Sequence, residues 1–554
     1  MSINRRNILL GSLNVGLGLA TGGCSGLINP VRPVCGNDPS ISDPSTPLTI
    51  DAHAHVFNGS DLQINGFLTK VLRIPGIGPI LQGIAWSEAP TAEHEFGELN
   101  RISTALHQCD GRALQAEVTS SRERQYQVAI EQLRHSAREA RKAKSLESPQ
   151  ATSEFLKQIE SLPLDYQTYK RTQTTRSLVK NRASLDVSGA LDFILRSFNF
   201  RYVNVFDYLS EYSLSKRRKV DLIVAHLVDY DWPIGAGRET RTSLPDQIRV
   251  MSKISLMTLG RVHCYAPFDP FKQVAFEMGL APYSPLAMIQ DAILNQGLIG
   301  VKLYPPMGFV PFGNTARPIS FWKDGILPQA LLSPDLGMRL DKSLGQLYEW
   351  CVENEVPIMA HTAPSNSPTG HVHDLTSPDA WRSTIRAFPG LRINFGHFGE
   401  TDQVGSGTSR ALAFTQLMDS GPGKLAFADS SYFADVVTRP NELLPKIREL
   451  LRKTSKKGEA ALAQRFMYGT DWEMIIIEGR NTNSYLINFE RLFSQLETDT
   501  ESGAEGNLSD NFFGKNASKY LGLHQGEANR FRMMSFHDRN NNPKLPLFDK
   551  VDRS

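Results

Sequence analysis

Two histidines separated by one residue stand at the end of a short apolar run, LTIDAHAH from Leu48 to His55. Successive side chains of a strand alternate faces, so His53 and His55 would point to the same side. Two neutral imidazoles that converge on one point make half of a site for zinc or a similar divalent ion. The pair alone is a weak signal, and its meaning depends on further ligands downstream.

Five further residues with ligand or catalytic chemistry stand at or near the ends of later apolar runs: His226, Lys302, His361, His397 and Asp471. In a barrel of parallel strands the carboxyl ends of all strands meet at one mouth. Residues hundreds of positions apart would then become neighbours. The pattern therefore predicts one site built from several strand ends.

The elements that would position these residues are eight short apolar runs, most of them bounded by Gly, Pro or Asp. They cover 48–53, 221–228, 261–266, 298–304, 357–361, 391–395, 425–428 and 465–468. Most are separated by stretches long enough for a helix, which predicts an α/β fold, a (β/α)8 TIM-type barrel. No Gly-x-Gly-x-x-Gly fingerprint follows any run, which weakens a dinucleotide-binding alternative.

The stretch 59–219 between the first two runs is far longer than a βα loop and must carry structure of its own. Within it Ile130, Leu133, Ala137 and Ala140 recur at helical spacing. We expect a large helical insertion after the first strand. It would be a solvated helical body, and it could at the same time form a cap over the barrel mouth. The polar, Asn-rich end of the chain, in 524–554, is expected to be a surface extension or a frayed tail.

The ordered set of motifs resembles the amidohydrolase superfamily, and within it the amidohydrolase-2 branch that includes relatives of aminocarboxymuconate-semialdehyde decarboxylase. The matching residues are the His53-Ala54-His55 motif, His361, His397 and Asp471 in Gly-Thr-Asp-Trp. The ending NFFGKNA, 511–517, is similar to the closing helix of that branch. The resemblance spans 48–523 without the insertion.

The resemblance implies that His53, His55, His361 and Asp471 bind one divalent metal ion, zinc or else manganese or iron. Three imidazoles and a carboxylate leave one coordination position for water, in agreement with that ligand set. Asp471 would also be catalytic, as acceptor of the water proton. His397 would be catalytic by polarising the substrate carbonyl or orienting the water, or would bind a second metal.

Lys302 and His226 have open roles. Lys302 would be a carboxylated bridge between two metals in binuclear relatives, or a point charge for a substrate carboxylate. The resemblance does not require His226, which is interpreted as a core histidine. His371 and His373 repeat the His-x-His spacing in a loop with no strand before it, and are interpreted as loop residues.

The amino-acid composition limits the kinds of partner that the chain is expected to have. The chain has 60 basic and 58 acidic residues, a net charge of +2. It therefore lacks the surplus of basic residues that is typical of proteins that bind nucleic acid. Five cysteines without a C-x-x-C pair indicate neither a disulfide framework nor a thiolate metal site. The expected partner is a small-molecule substrate, and the sequence carries no signal for oligomeric state.

The N-terminus has the features of an export signal. Arg5 and Arg6 precede an apolar stretch, 8–20, which resembles a twin-arginine signal peptide ending at 24. The residues before Cys24, Thr-Gly-Gly, resemble a lipobox, so acylated Cys24 would anchor the chain to a membrane. The polar segment 25–47 would be the linker. We expect a periplasmic or membrane-anchored protein, with a cytoplasmic one as the alternative.

Three functions follow. The leading one is a metal-dependent hydrolase that attacks an amide, ester or lactone bond with activated water. The first alternative keeps the fold and metal but decarboxylates a small carboxylated substrate without oxidation. The second is an exported, non-catalytic barrel that acts as a binding scaffold. Loss of a ligand would mark the scaffold, and none of the five matching residues is missing.

Overall fold

The computed structural model describes residues 44–71, 73, 78–107, 111–142, 150–175, 187–212, 215–323, 327–399, 410–454, 462–478, 482–498, 507–542 and 545–554. The predicted signal peptide with Cys24, and the linker up to residue 43, lie outside this range. Among the described residues, no helix combines the length and apolar composition that a membrane-spanning segment needs.

Eight parallel strands form one sheet in the chain order β1 to β8. The strands are β1 Ile50–Ala54, β2 Leu222–His226, β3 Val262–Phe268, β4 Gly300–Leu303, β5 Ile358–His361, β6 Ile393–Gly396, β7 Ala426–Asp429 and β8 Phe466–Met467. Every residue of every strand is buried, as expected for parallel strands covered on both faces. Each predicted apolar run overlaps one of these strands.

Backbone hydrogen bonds next to β8 bring the last strand back to the first. Ala52 N donates to Tyr468 O at 3.0 Å, and Thr470 N donates to His53 O at 3.1 Å. A parallel bridge between Ala54 and Trp472 continues this contact. The sheet is a nearly closed barrel, which confirms the predicted (β/α)8 fold.

Helices follow the strands around the barrel. They are α9 Leu244–Met257, α10 Pro270–Glu277, α11 Pro285–Asn295, α12 Leu336–Glu353, α13 Val372–Leu375, α14 Pro378–Ala387, α15 Arg410–Met418, α16 Asp435–Thr438, α17 Pro440–Thr454, α18 Tyr485–Glu497, α19 Leu508–Asp510 and α20 Asn516–Leu521. Several begin with a side-chain cap followed by proline, as Ser243 caps α9 and Asp269 caps α10. Such caps satisfy amide groups that the first turn leaves free.

The segment between β1 and β2 is helical, as predicted. Its helices are α1 Ile64–Gly66, α2 Gly78–Glu88, α3 Ala92–His107, α4 Gly111–Lys142, α5 Gln150–Ser161, α6 Tyr166–Thr175, α7 Val187–Ser197 and α8 Arg201–Asp207. Ile130 and Leu133 of α4 are buried in a hydrophobic cluster with Leu156 and Ile159 of α5. The insertion therefore has a small core of its own.

The insertion also reaches the barrel mouth. Phe57, which follows β1, lies edge-on to Phe193 of α7 with ring centroids 6.4 Å apart. Gly189 of α7 lies so close to the chain after β8 that a Cβ atom there would be 2.4 Å from the carbonyl oxygen of Ile477. These contacts favour the interpretation of the insertion as a cap.

The end of the chain corrects one expectation. Residues 524–554 are not a surface extension, because helices α21 Ala528–Arg539 and α22 Pro546–Val551 pack with buried barrel residues. Met533 and Leu547 are buried in the same cluster as Leu222 at the start of β2. Lys550 Nζ lies 2.7 Å from Asp221 Oδ1, and both side chains are buried. The polar composition of this segment concealed the apolar face with which its helices pack against the barrel.

Candidate metal centre

His55 directly follows β1, and its ring is held by a backbone contact. Its Nδ1 lies 2.8 Å from the carbonyl oxygen of His226. A carbonyl oxygen only accepts, so Nδ1 carries the proton and Nε2 keeps a lone pair. That Nε2 lies 3.2 Å from Asp471 Oδ1.

His53, at the end of β1, has the same arrangement with a carboxylate as its partner. Its Nδ1 lies 3.1 Å from Asp429 Oδ2, so Nδ1 donates and Nε2 again keeps its lone pair. The Nε2 atom is 3.4 Å from Asp471 Oδ1. Burial is the main cause that lowers the pKa of His53, and Lys302 adds to it. The ring is therefore neutral, as a metal ligand must be.

Asp471 follows β8 in a left-handed conformation, with φ of 58°. Its backbone nitrogen donates to His53 O at 2.7 Å, which fixes the turn against β1. Burial acts to raise the pKa of its carboxyl, but the neighbouring imidazoles of His55, His397 and His53 outweigh it, and the pKa is lowered. Asp471 is therefore a buried carboxylate.

Asp471 Oδ1 accepts no hydrogen bond from the described residues, although it is fully buried. The atoms facing it, Nε2 of His53 and of His55, carry lone pairs rather than protons. Three buried electron-pair donors that face one another repel each other unless a cation lies between them. This donor set therefore fits a divalent metal ion.

His397 and His361 form a second part of the site. His397 follows β6 in a left-handed conformation, and its Nε2 lies 2.9 Å from Nδ1 of His361. The other nitrogen of His397 is 3.2 Å from the carbonyl oxygen of Ser431, and Tyr304 stacks on His361 at 4.3 Å. Burial lowers the pKa of both histidines. The two rings share one hydrogen bond, and its direction depends on which ring carries the proton.

All five residues of the predicted site lie at the carboxyl end of the barrel. The tightest set is His53, His397 and Asp471, whose candidate ligand atoms lie within 4.8 Å of one another. His55 is in direct contact with this set through Asp471, and His361 through His397. The assignment of His361 as ligand and His397 as catalytic group stays a prediction, because the two rings lie side by side.

Lys302 of β4 also lies in the site. Its Nζ is 3.3 Å from Nε2 of His53 and 2.9 Å from the sulfur of Met359. Burial lowers the pKa of Lys302 to about 7, although Asp471 and Asp429 act to raise it. An amine with this pKa is available in its neutral form, so both roles considered for Lys302 remain open.

His226 and the loop histidines have other contacts. Nε2 of His226, a buried ring, lies 3.2 Å from the carbonyl oxygen of Ala52, and the ring lies 4.7 Å from that of Tyr265. His371 is exposed and stacks on Phe321 at 4.3 Å. These contacts are those of a core residue and of a loop residue, whereas His373 lies in the short helix α13 and not in a loop.

Asp429 at the end of β7 is a residue that the sequence analysis missed. Besides His53, it accepts hydrogen bonds from Asn394 Nδ2 at 2.6 Å and from the backbone nitrogen of His397 at 3.0 Å. It therefore orients His53 through the side chain and His397 through the backbone, as outer-shell carboxylates orient metal-binding histidines. Its position directly after the predicted run 425–428 was the available signal.

Asp51 is a second missed residue, two positions before the first histidine of the His-x-His motif. It accepts hydrogen bonds from the hydroxyls of Thr470 and Tyr208, both at 2.6 Å. Burial raises the pKa of Asp51 to about 7, against these hydrogen bonds, which lower it. Asp51 lies in β1 and thus links two other segments to this strand: the turn that carries Asp471, and the segment after α8.

Comparisons with known proteins gave one family match and several similar solved structures. Residues 264–523 match the amidohydrolase family model. No curated protein matches the chain by sequence. A protein from Pseudomonas putida, proposed to be a 2-pyrone-4,6-dicarboxylic acid hydrolase, is 17% identical over 57% of this chain and 87% of its own, with a TM-score of 0.34.

Two further solved structures are similar at a lower level. One is another proposed 2-pyrone-4,6-dicarboxylic acid hydrolase, from Acinetobacter baumannii, with 11% identity over 56% of this chain and 94% of its own and a TM-score of 0.30. The other is a zinc-bound amidohydrolase from Burkholderia multivorans, with 12% identity, 46% and 93% coverage and a TM-score of 0.23. These scores are low, so the assignment depends on the family match. Residues 264–523, which carry His361, His397 and Asp471, match the amidohydrolase family, and this match favours a function of the metal-dependent hydrolase or lyase type.

Proposed function

We propose that the chain is a metal-dependent hydrolase that cleaves an amide, ester or lactone bond in a small molecule. The observation that carries the proposal is the buried Oδ1 of Asp471, which faces two imidazole nitrogens and accepts no hydrogen bond from the described residues. His53, His55 and Asp471 would hold the ion, with an imidazole of the His361–His397 pair as the fourth ligand. Imidazole and carboxylate donors favour zinc, with manganese or iron as alternatives.

A divalent ion held there would supply Lewis acidity, which polarises a carbonyl and acidifies water. The chain's own groups would handle the proton. Asp471 is ionised because its pKa is lowered, so it can take a proton from the attacking water and return it to the leaving group. The imidazole of the pair that does not bind the ion would orient the substrate carbonyl.

One observation favours a second candidate, decarboxylation without oxidation. Lys302 is a buried amine 3.3 Å from His53 Nε2, inside the ring of candidate ligands. In its ammonium form it would bind a substrate carboxylate in a site of low polarity, where such a contact is strong. A decarboxylase needs this contact with the departing group, whereas hydrolysis of an uncharged bond does not.

The first experiment measures metal content. The full chain is purified without added metal, beside the His53→Ala/His55→Ala variant, and both are analysed by plasma mass spectrometry and circular dichroism. We expect about one zinc, manganese or iron per chain, lost in a variant that remains folded. Amides, lactones and aromatic carboxylates are then screened with the loaded protein.

Other outcomes would change the proposal. About two metals per chain would favour Lys302 as a bridging group. Absence of metal from both proteins, even after reconstitution, would contradict the hydrolase and favour the scaffold. Carbon dioxide release from a carboxylated substrate, without hydrolysis of any amide or lactone, would favour the decarboxylase.

A further inference from the structure

Helix α7 of the insertion contacts two segments that carry candidate metal ligands. Phe193 of α7 lies edge-on to Phe57, which follows His55 by two residues, with ring centroids 6.4 Å apart. Gly189 of α7 packs so closely on the segment after β8 that a Cβ atom there would clash with the carbonyl oxygen of Ile477. Helix α7 therefore joins the segment after β1 to the segment after β8.

The contact on the β1 side reaches the ring of His55. Phe57 is buried, and its ring stacks on that of His55 with centroids 4.8 Å apart and an interplanar angle of 18°. The hydrogen bond from His55 Nδ1 to the carbonyl oxygen of His226, at 2.8 Å, fixes one atom of the ring, whereas the stacked ring also fixes its plane. Together they direct Nε2 of His55 towards Asp471 Oδ1, 3.2 Å away.

The residues directly after Phe57 are also held by the insertion. Asn58 Nδ2 donates to Glu95 Oε1 of α3 at 3.0 Å, and Arg201 Nη1 of α8 lies 2.8 Å from the same oxygen. All three side chains are buried. At Gly59 a Cβ atom would be 3.2 Å from a side-chain atom of α2. Three helices of the insertion thus fix the chain that follows Phe57.

The contact on the β8 side reaches Asp471 through the backbone. The short helix Met474–Glu478 follows Asp471, and the backbone nitrogen of Ile475 donates to Asp471 O at 3.1 Å. Gly189 lies against the end of this helix, where its Cβ position is 3.0 Å from the carbonyl oxygen of Ile476. A shift of α7 would therefore move the turn that carries Asp471.

We propose that α7 positions the metal ligands His55 and Asp471, with Phe193 and Gly189 as positioning residues that do not touch the ion. This role rests on the metal centre proposed above. Residues four apart lie on one face of a helix, so one displacement of α7 would move both ligand segments. Metal–ligand distances are tolerated only within about 0.2 Å, so such a displacement would lower metal affinity.

Two glycine-to-alanine variants of the full chain give the sharpest test. Gly189→Ala places a methyl group against Ile477, whereas in Gly97→Ala of α3 the same methyl group would meet no described atom within 4 Å. We expect zinc affinity, measured by competition with a chelator, to fall at least about tenfold in Gly189→Ala and to stay unchanged in Gly97→Ala. The absorption spectrum of bound Co²⁺, which reports ligand geometry, should change only in Gly189→Ala.

Two further positions separate positioning from a general loss of stability. Phe193→Ala removes the ring edge and should weaken zinc binding about tenfold, and Phe193→Tyr, which keeps the ring, should restore it. Ile159→Ala opens a space in the core that α4 and α5 form, and should reduce stability without changing zinc affinity. Equal weakening in Ile159→Ala and Phe193→Ala would overturn the proposal. If Gly189→Ala does not fold, this comparison decides.

A measurement without metal distinguishes this inference from the proposed function. Carbethoxylation of His55 by diethyl pyrocarbonate is followed by mass spectrometry in the metal-free proteins. We expect His55 to react about threefold faster in Phe193→Ala than in Ile159→Ala, because its ring is held less firmly. Equal rates would overturn the proposal. Different rates, with no zinc bound by the unchanged chain, would contradict the metal centre and still support the positioning of His55 by α7.

Discussion

The two ends of the barrel each bury a pair of histidines in contact. At the mouth, His397 Nε2 lies 2.9 Å from His361 Nδ1. Near the start of β3, His537 Nε2 of α21 lies 3.3 Å from His263 Nε2. Burial lowers the pKa of all four rings. By residue type, burial and contact, the pairs are nearly equivalent.

Their surroundings are different. His263 donates from Nδ1 to the carbonyl oxygen of Gly297 at 2.6 Å, and Leu545 packs close to the same region at Gly260. At the mouth, the pair lies next to two carboxylates, Asp429 and Asp471, which act to raise the pKa of His397 against the effect of burial. A buried histidine pair is therefore ordinary core structure. The mouth is distinguished by three acceptor atoms that converge, Asp471 Oδ1 and Nε2 of His53 and of His55.

The largest expected effect comes from Asp471→Asn. The substitution removes the charge at constant size, so metal affinity should fall at least about 100-fold and turnover at least about 1,000-fold. The new amide could donate to His55 Nε2, so the metal-free variant should be more stable by about 1 kcal/mol. Metal titration and urea unfolding of the metal-free proteins measure both effects. A variant that is less stable without metal would mean that Oδ1 already has a partner.

A smaller effect is expected from Asp429→Asn, because Asp429 contacts His53 rather than the ion. Loss of the carboxylate removes the partner that fixes the His53 tautomer, and outer-shell changes of this kind reduce metal affinity by about 10- to 100-fold. Competition with a chelator measures the affinity. An affinity equal to that of the unchanged chain would show that Asn394 and Ser431 suffice to orient the site.

The lower pair should affect stability and its pH dependence. The folded pKa of His263 is lowered to about 4 and that of His537 to about 2, by burial in both cases. As the pH falls below the unfolded value of about 6.5, the unfolded chain gains protons that the folded chain excludes. Stability is therefore complete above pH 6.5 and is lost as the pH falls towards 4.

The variant His537→Leu isolates this contribution. The mouth histidines are the same in both proteins, so the difference between the two pH profiles belongs to the lower pair. Between pH 7 and pH 5 the variant should lose about 2 kcal/mol less free energy of unfolding than the unchanged chain, the contribution of one histidine. Urea midpoints of metal-free protein give both profiles. Parallel profiles would contradict a neutral, buried His537.

The strands could be predicted because a buried parallel strand is visible as a short apolar run. The run 357–361 and the observed β5, Ile358–His361, differ by one residue. The end of the chain could not be predicted in the same way. In α21 Met533 and Phe536 are buried among polar neighbours, and overall composition does not show which side of a helix faces the barrel.

The site was predictable to the level of which strand ends meet. The contact between His53 and Asp429 joins residues 376 positions apart, and only the barrel places them together. Whether His361 or His397 is the ligand depends on how each ring is rotated and on which ring donates their shared hydrogen bond. The spacing of residues in the sequence encodes neither. Sequence therefore shows which residues approach one another but not which atoms face one another.

The smallest effect should come from the second His-x-His motif. His371→Ala/His373→Ala removes the same residue types at the same spacing as the β1 variant, but from the exposed start of the short helix α13, where His371 stacks on Phe321. We expect unchanged metal content and a change in unfolding free energy within about 0.5 kcal/mol, because surface substitutions outside a site have effects of that size. Metal analysis beside His53→Ala/His55→Ala makes the comparison direct. If the loop variant also lost metal, spacing rather than position in the barrel would define the ligands.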